Sequence, residues 1–462
     1  MMDLERVIAA LGPVDVLGRA PVDVRELAYD TRAVVPGSLF FCVRGEHVDG
    51  HTLAGEAVAR GAVALVVERP VDADVPQLVV PSSRASMAVV ADEFFGRPTD
   101  ELDVVGVTGT SGKTTTTFLL YAILAAAGRR PGLLGTIEAR VGGERRGVKR
   151  TTPEAIDLQR TFREMLDAGD RSCAMEASSH ASAMHRLDRV RFRVLVFTNL
   201  SQDHLDFHGT MEKYFAAKRA LFHAEPRPRA VVNVGDEWGR RLAAELPEAI
   251  TFGSDDAREL DRIDLKLRGR FNVENALGAL FAARALGIED DAIAHGLESV
   301  RGVPGRFEPV DEGQPFAVVV DYAHKPGALE NVLRAARELT GPGGRVICVF
   351  GAGGDRDRAK RPVMGRIASK LADVTIVTSD NPRSEEPAAI VEEILAGVAG
   401  EHEVVVDRTA AIARAVELAQ PGDVVLIAGK GHEQGQELAD RLIPFDDRDV
   451  ARDALRAAGV AT

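Results

Sequence analysis

The chain has 462 residues, 45% of them apolar and 27% charged, which suits a globular protein large enough for two or three domains. A net charge of -13 argues against general affinity for nucleic acid, although a local basic site can still hold an anionic ligand. Three widely spaced cysteines (Cys42, Cys173 and Cys348) form no metal-ligand pattern, the N-terminus has no signal-peptide character, and no apolar run approaches the ~20 residues that span a bilayer. A cytoplasmic enzyme is expected, with neither nucleic acid nor membrane as partner.

Residues 1–98 read as a small α/β unit, with short strands such as "GSLFFCV" and "AVALVVE" between turn residues. "FFGRPTDELD" follows as a polar, Pro-containing connector. A second unit, 99–304, opens with the strand "VVGVTG" and the stretch "GVTGTSGKTTTT". A glycine-rich turn between a strand and a helix is what a phosphate loop requires. The usual G-x-x-x-x-G-K-[ST] spacing is not met, because Val107 stands five before Gly112. Gly109 and Gly112 still let the backbone wrap a phosphate, Lys113 can reach the terminal phosphates, and the Thr114 hydroxyl can ligate Mg²⁺.

Further along, Glu176 in "AMEASSH" and Asp203, His204 and His208 in "LSQDHLDFHG" end two apolar runs. A carboxylate and an imidazole there suit a divalent cation held against nucleotide phosphates. Lys218 sits on the apolar, helical-looking "YFAAKRALF", where spacing alone favours a lysine that reaches its ammonium out to solvent.

The third unit, 305–462, repeats a rhythm: "FAVVVDYAHKPG", "RVICVFGAGGDRD", "DVTIVTSDNPR", "HEVVVD" and "DVVLIAGKGHE", most of them separated by Ala-rich helical stretches. Strands alternating with helices predict a parallel, doubly wound sheet covered on both faces. Ligands of such sheets bind at the carboxyl ends of the strands. The loops there carry Asp321, His324, Lys325, Asp355, Arg356, Asp380, Asn381, Arg383, Gly429 and Glu433, and four polar loops on one rim predict a site. The Asn381-Pro382-Arg383 turn is stiffened by its proline, and Arg383 offers a planar fork suited to a carboxylate.

Together "YDTRAVVPGSLFFCVRGEHVDGH", "TGTSGKTTTT", "TTPEA", "MEASSH", "FTNLSQDHLDFHG", "YFAAKRALF", "GRFNVENALGAL", "VDYAHKPGALE", "FGAGGDRDRAKRPVMG", "TSDNPRSEEP" and "AGKGHE" closely resemble the Mur ligases of bacterial cell-wall synthesis, nearest the branch that adds diaminopimelate. The resemblance covers essentially the whole chain. It implies three α/β domains: a small N-terminal one for the UDP-sugar, a central P-loop ATPase-type one, and a Rossmann-like C-terminal one for the amino acid. It also implies ATP-dependent amide formation through an acyl phosphate, with UDP-MurNAc-L-Ala-D-Glu, meso-diaminopimelate and ATP as substrates of a monomer.

By the same resemblance, ATP would contact Gly109, Thr110, Ser111, Gly112, Lys113, Thr114 and Thr115, with Asn275, Arg306 and Asp321 near adenine and ribose. Thr114 and Glu176 would hold one Mg²⁺, and Glu176, His204 and a CO₂-carbamylated Lys218 the second. The UDP-sugar would lie near Thr31 and the Asp49-Gly50-His51 turn, and its peptide end near Thr151, Thr152, Ser178 and Arg186. Arg356 and Arg383 would clamp the far carboxylate of diaminopimelate and Glu433 and the Gly429 carbonyl would meet its ammonium, with Asp380, Asn381 and Pro382 completing the amino-acid site. The chain departs from the family pattern at Thr31, Arg150, Met184 and Lys325, and in a shortened segment before "LRGRFNVEN". Two alternative readings are a paralogue joining another amino acid or carboxylate, and a nucleotide-dependent switch without catalysis.

Overall fold

Near-continuous apolar runs become strands buried on both faces, and the Ala-rich stretches between them become the helices that cover those faces. The computed structural model describes residues 1–12, 15–18, 20–45 and 48–459, and it gathers most of their strands into three sheets. The first sheet runs Asp15–Leu17, Gln77–Val79, Ala62–Val67, Ser38–Phe41, Glu26–Ala28, with only its outermost Asp15–Leu17 strand antiparallel.

The second sheet has eight strands. Its parallel body is Pro131–Leu134, Ser172–Glu176, Asp103–Thr108, Phe192–Phe197, Arg229–Asn233 and Ile250–Phe252, and an antiparallel hairpin (Ala139–Val141, Glu144–Arg146) extends one edge. Phe162, Phe197, Phe215 and Phe222 fill one face of this sheet, and Leu119, Ile123, Leu277 and Leu280 the other. Each such side chain contributes roughly 1.5–3 kcal/mol of burial.

The third sheet runs Glu308–Pro309, Ala317–Asp321, Val424–Ala428, Val346–Phe350, Val374–Val377, Glu403–Val404. Leu333, Met364 and Ile394 pack on one face and Ile412, Val416 and Leu455 on the other, so it is doubly wound as expected. It is not wholly parallel, because Glu308–Pro309 pairs antiparallel with Ala317–Asp321. The residues expected to form a polar connector are also more ordered than expected. A helix ends at Phe94, Pro98–Asp100 makes a 3₁₀ turn that Pro98 pre-sets, and the next strand starts at Asp103.

Polar pairs tie the units together. Arg191 forks onto Asp92 at 2.9 and 2.8 Å, Arg160 forks onto Glu26 at 3.0 and 2.8 Å, and Tyr29 donates to Asp157 at 2.6 Å, all joining the first unit to the second. Lys325 on the third unit reaches Asp203 on the second at 2.5 Å.

Candidate active site

The Asp103–Thr108 strand lies between Ser172–Glu176 and Phe192–Phe197, both parallel to it. Three adjacent strand ends therefore deliver the glycine loop, Glu176, and the loop bearing Asp203 and His204 to one place. Gly109 has φ 145° and a Cβ there would sit 1.9 Å from Thr198 Oγ1, while Gly112 has φ 86° and its Cβ would sit 2.2 Å from Asn275 Oδ1. Only glycine fits at either position. The Lys113–Ala126 helix starts at Gly112 without a side-chain cap, so its first amides stay open to an anion.

A cavity of about 1260 Å³ opens over this loop and is walled by both the second and third units. Of the residues expected in a site, Thr110, Ser111, Gly112, Lys113, Thr114, Thr115, Thr151, Thr152, Glu176, Ser178, Arg186, His204, Lys218, Asn275, Arg306, Asp321 and Arg356 line it. Lys113 donates to the Gly109 and Thr110 carbonyls at 3.1 and 2.9 Å. Burial, and then the neighbouring Lys325 charge, bring its pKa down to about 8. Arg306 Nη2 donates to Thr114 Oγ1 at 3.0 Å, its guanidinium lies 4.7 Å over the Tyr322 ring, and its Nε is buried with no partner. Burial pushes Asp321 up to about 6, even though it accepts the Phe307 amide at 2.7 Å.

Glu176 is buried and accepts from the Thr136 amide (2.8 Å) and hydroxyl (3.1 Å), with no basic side chain bonded to it. His204 has left-handed φ 52° and its Nε2 is 2.8 Å from Asp203 Oδ2, with the His180 ring edge-on at 4.6 Å. His208 is buried against Ser179, its Nε2 3.0 Å from the hydroxyl. Lys218 overturns the expectation of a solvent-seeking lysine. The helix turns it inward, where it is 1% exposed and donates to the Gly109 carbonyl at 2.8 Å beneath the Tyr214 ring. Burial, reinforced by Lys113, lowers its pKa well below that of an ordinary lysine.

Among the described residues no group of three His, Cys, Asp or Glu side chains is arranged to hold an ion. The donors do fit a hard divalent cation in kind. A buried carboxylate without a cationic partner, a threonine hydroxyl and an imidazole all face one cavity.

Along the neighbouring wall, Thr152 Oγ1 donates to the Glu176 carbonyl (2.8 Å) and lies 3.3 Å from Ser178 Oγ, and the Thr151 hydroxyl meets that of Thr136 at 3.0 Å. Arg186 donates to the Thr152 carbonyl at 3.2 Å and shares the buried Glu154 with Arg84 and Arg150. Glu154, which sequence reasoning passed over, thus anchors three guanidinium groups.

Of the rim of the third sheet, Asp321, His324, Lys325 and Arg356 line this cavity, while Asp355, Asp380, Asn381, Arg383, Gly429 and Glu433 lie in a second cluster outside its lining. Asn381 donates to Glu433 at 2.8 Å and accepts from buried Lys430 at 2.7 Å. Arg383, held at left-handed φ 51° after Pro382, donates to Glu437 (2.7 Å) and to the Gly354 carbonyl (2.8 Å). A Cβ on Gly353 would lie 3.1 Å from Arg383 Nη1 and 3.8 Å from Arg356 Cγ, so the Arg383 guanidinium and the aliphatic stem of Arg356 flank this glycine. Gly429 has φ 126° and backs directly onto Asp380. Glu433, expected to be free for an ammonium, already holds Lys430 at 3.2 Å. Lys430 and Glu437 went unnoticed in the sequence. Lys430 lies within "AGKGHE", where a rim residue was to be expected.

In the first unit Thr31 and His51 are buried, and neither they nor Asp49 and Gly50 line the cavity. His51 Nδ1 is 2.6 Å from Asp49 and its Nε2 accepts the Glu68 amide at 2.8 Å, so its ring pins the turn from inside.

Models of three Mur ligase domains match successive stretches of the chain: the Mur ligase family catalytic domain (23–95), the Mur ligase middle domain (107–283) and the Mur ligase glutamate ligase domain (305–431). The chain belongs to the Mur ligase family. A UDP-N-acetylmuramoyl-L-alanyl-D-glutamate–2,6-diaminopimelate ligase of Geobacillus kaustophilus is 47% identical to this Mur ligase, covering 95% of this chain and 96% of the relative. One of the same name from Geobacillus thermodenitrificans is 46% identical over 94% and 95%. A solved structure of a ligase so named superposes with TM-score 0.66 at 30% identity, covering 95% of this chain and 96% of the other. No helix of this Mur ligase, among the described residues, is long and apolar enough to cross a membrane.

Proposed function

We propose that this Mur ligase joins meso-2,6-diaminopimelate to UDP-N-acetylmuramoyl-L-alanyl-D-glutamate, with cleavage of ATP to ADP and phosphate. The observation that carries the reading is the single cavity that unites a phosphate loop, the Glu176–His204–Lys218 group, and Arg306 and Asp321 of the third unit. The dipeptide carboxylate attacks the γ-phosphorus and ADP leaves. The amine then attacks the acyl phosphate and phosphate departs. A carboxylate and a triphosphate repel each other, so positive charge must be in place beforehand. Lys113, the open amides of its helix and Arg306 supply part of it.

Thr114 and Glu176 would hold one Mg²⁺, and Glu176, His204 and Lys218 a second, the ions neutralising charge on the phosphates. Lys218 joins such a set only as an anion. Its depressed pKa leaves a share of free amine that can attack CO₂, forming an N–C bond and releasing a proton to give a carbamate. Thr151, Thr152, Ser178 and Arg186 receive the peptide end, and Thr31 with the Asp49–His51 turn the UDP end. The amine site is Arg356, Asp380, Asn381, Pro382, Arg383, Gly429 and Glu433. The three units divide at 98/99 and 304/305. Every named group comes from one chain, so the reaction calls for no residue from a second copy; a cytoplasmic monomer is the proposed state.

ADP release with the UDP-MurNAc-dipeptide, ATP and Mg²⁺ tests this reading. Turnover is expected with meso-diaminopimelate and not with lysine, which leaves the arginine pair unmatched. Absence of turnover with any muramyl nucleotide overturns it. Arg383→Ala is expected to lose diaminopimelate addition while still binding ATP.

A further inference from the structure

Lys325 stands at the start of the Pro326–Leu339 helix, in the loop that leaves the Ala317–Asp321 strand of the third sheet. Its ammonium crosses to the second unit and meets Asp203 Oδ2 at 2.5 Å. The same oxygen lies 2.8 Å from His204 Nε2. All three residues are partly or largely shielded, with side-chain exposures of 16% for Lys325, 13% for Asp203 and 40% for His204. His204 needs such help. Its backbone is in the left-handed region at φ 52°, and its ring meets His180 and Tyr214 edge-on. A strained residue keeps one orientation only when its surroundings impose it.

We propose that Lys325 is a positioning residue that clamps Asp203, and through it the His204 ring, from the opposite unit. One imidazole nitrogen, Nε2, is committed to Asp203, which leaves Nδ1 as the nitrogen with a lone pair to offer a cation in the cavity that His204 lines. A carboxylate that orients a ligating imidazole is itself only as fixed as its own partner, and here that partner is carried by the amine-binding unit. The ion-binding face of the second unit is therefore complete only while the third unit is docked on it. This rests on the proposed role of His204 as a ligand, though not on the identity of either substrate.

The test is calorimetric titration of Mn²⁺ into the full-length protein saturated with a non-hydrolysable ATP analogue, alongside steady-state turnover. Lys325→Thr is expected to weaken Mn²⁺ binding about tenfold and to lower kcat similarly, with analogue affinity in the absence of metal changed less than about threefold and only a small fall in thermal midpoint from the lost cross-unit ion pair. Lys325→Arg, which keeps the charge, restores Mn²⁺ affinity to within about threefold, and Asp203→Asn reproduces the loss. Wild-type Mn²⁺ affinity in Lys325→Thr overturns the proposal, as does equal loss in Lys325→Arg. Should wild-type protein itself fail to bind Mn²⁺ with the analogue, the assignment of His204 falls first, and the clamp with it.

Discussion

An ammonium buried without a carboxylate partner is costly, and the protein environment relieves that cost by favouring the neutral amine. Lys218 is in this position, bonded to the Gly109 carbonyl and set against the Tyr214 ring, with no carboxylate in ion-pair contact among the described residues. Its folded pKa lies below its unfolded value of about 10.4, so the unfolded chain binds the extra proton. The resulting penalty on stability is full below the folded pKa and fades as pH rises toward ~10.4. Lys218→Met, studied in CO₂-free buffer, should therefore melt at or above the wild-type temperature at pH 7, and this advantage should shrink at pH 9 to 10. The same variant should lose at least about 100-fold in turnover, beyond what removal of a supporting group costs. A ¹³C carbamate signal from wild-type protein under ¹³CO₂, absent in Lys218→Met, is the spectroscopic counterpart. A lower melting temperature for the variant at pH 7 would show that the lysine is held as a charged structural group.

At the level of elements, the strand, glycine loop and helix from Asp103 to Ala126 act as one device, and its tolerance can be read from contacts. Gly112→Ala would place a methyl 2.2 Å from Asn275 Oδ1 at φ 86°, so either the loop or the Arg270–Ala285 helix must shift. The left-handed backbone alone costs about 1–2 kcal/mol, and nucleotide affinity by fluorescence titration should fall at least tenfold. Another element-level tie is the Asp447–Ala457 helix. Its first residue forks onto Arg408 at 2.7 and 2.7 Å, both side chains being fully buried, and Arg408 in turn donates to the Ser379 and Ala428 carbonyls that precede Asp380 and Gly429. Asp447→Ala strands a buried guanidinium and should destabilise the third unit by about 3–5 kcal/mol in denaturant titration.

These two cases also mark what the sequence can express. Gly-Lys-Thr after a strand and the apolar runs of the third unit are local signals, so the phosphate loop, the strands and the residues at their carboxyl ends are legible. The facing of Asn275 on Gly112, and of Glu437 on Arg383, depends on how distant elements dock. Glu437 sits in a short, polar hairpin strand, Gly435–Glu437, whose residues show no apolar alternation to announce it. The depth of Lys218 is illegible for a related reason, since a helix's apolar spacing does not say how deep a given lysine sits.

For the molecule as a whole, the cavity belongs to no single unit, which couples ligand binding to the docking of the second and third units. A ligand that binds only the assembled form adds stability by mass action, about 2.7 kcal/mol at 100 times its dissociation constant. A non-hydrolysable ATP analogue with Mg²⁺ should accordingly raise the thermal midpoint, and that rise should report on residues that bridge the units. Arg306 is such a bridge. It lies on the third unit, donates to Thr114 of the phosphate loop's helix, stacks on Tyr322, and keeps a buried Nε without a partner. In the absence of nucleotide, Arg306→Ala removes one cross-unit hydrogen bond and relieves that unpaired donor, so the free protein should lose no more than about 1 kcal/mol. With nucleotide bound, the same substitution removes the guanidinium held against Thr114 of the phosphate loop's helix, and the ligand-induced rise should fall to less than half its wild-type size. An equal rise in both proteins would mean that Arg306 does not carry the coupling between nucleotide and the docking of the two units.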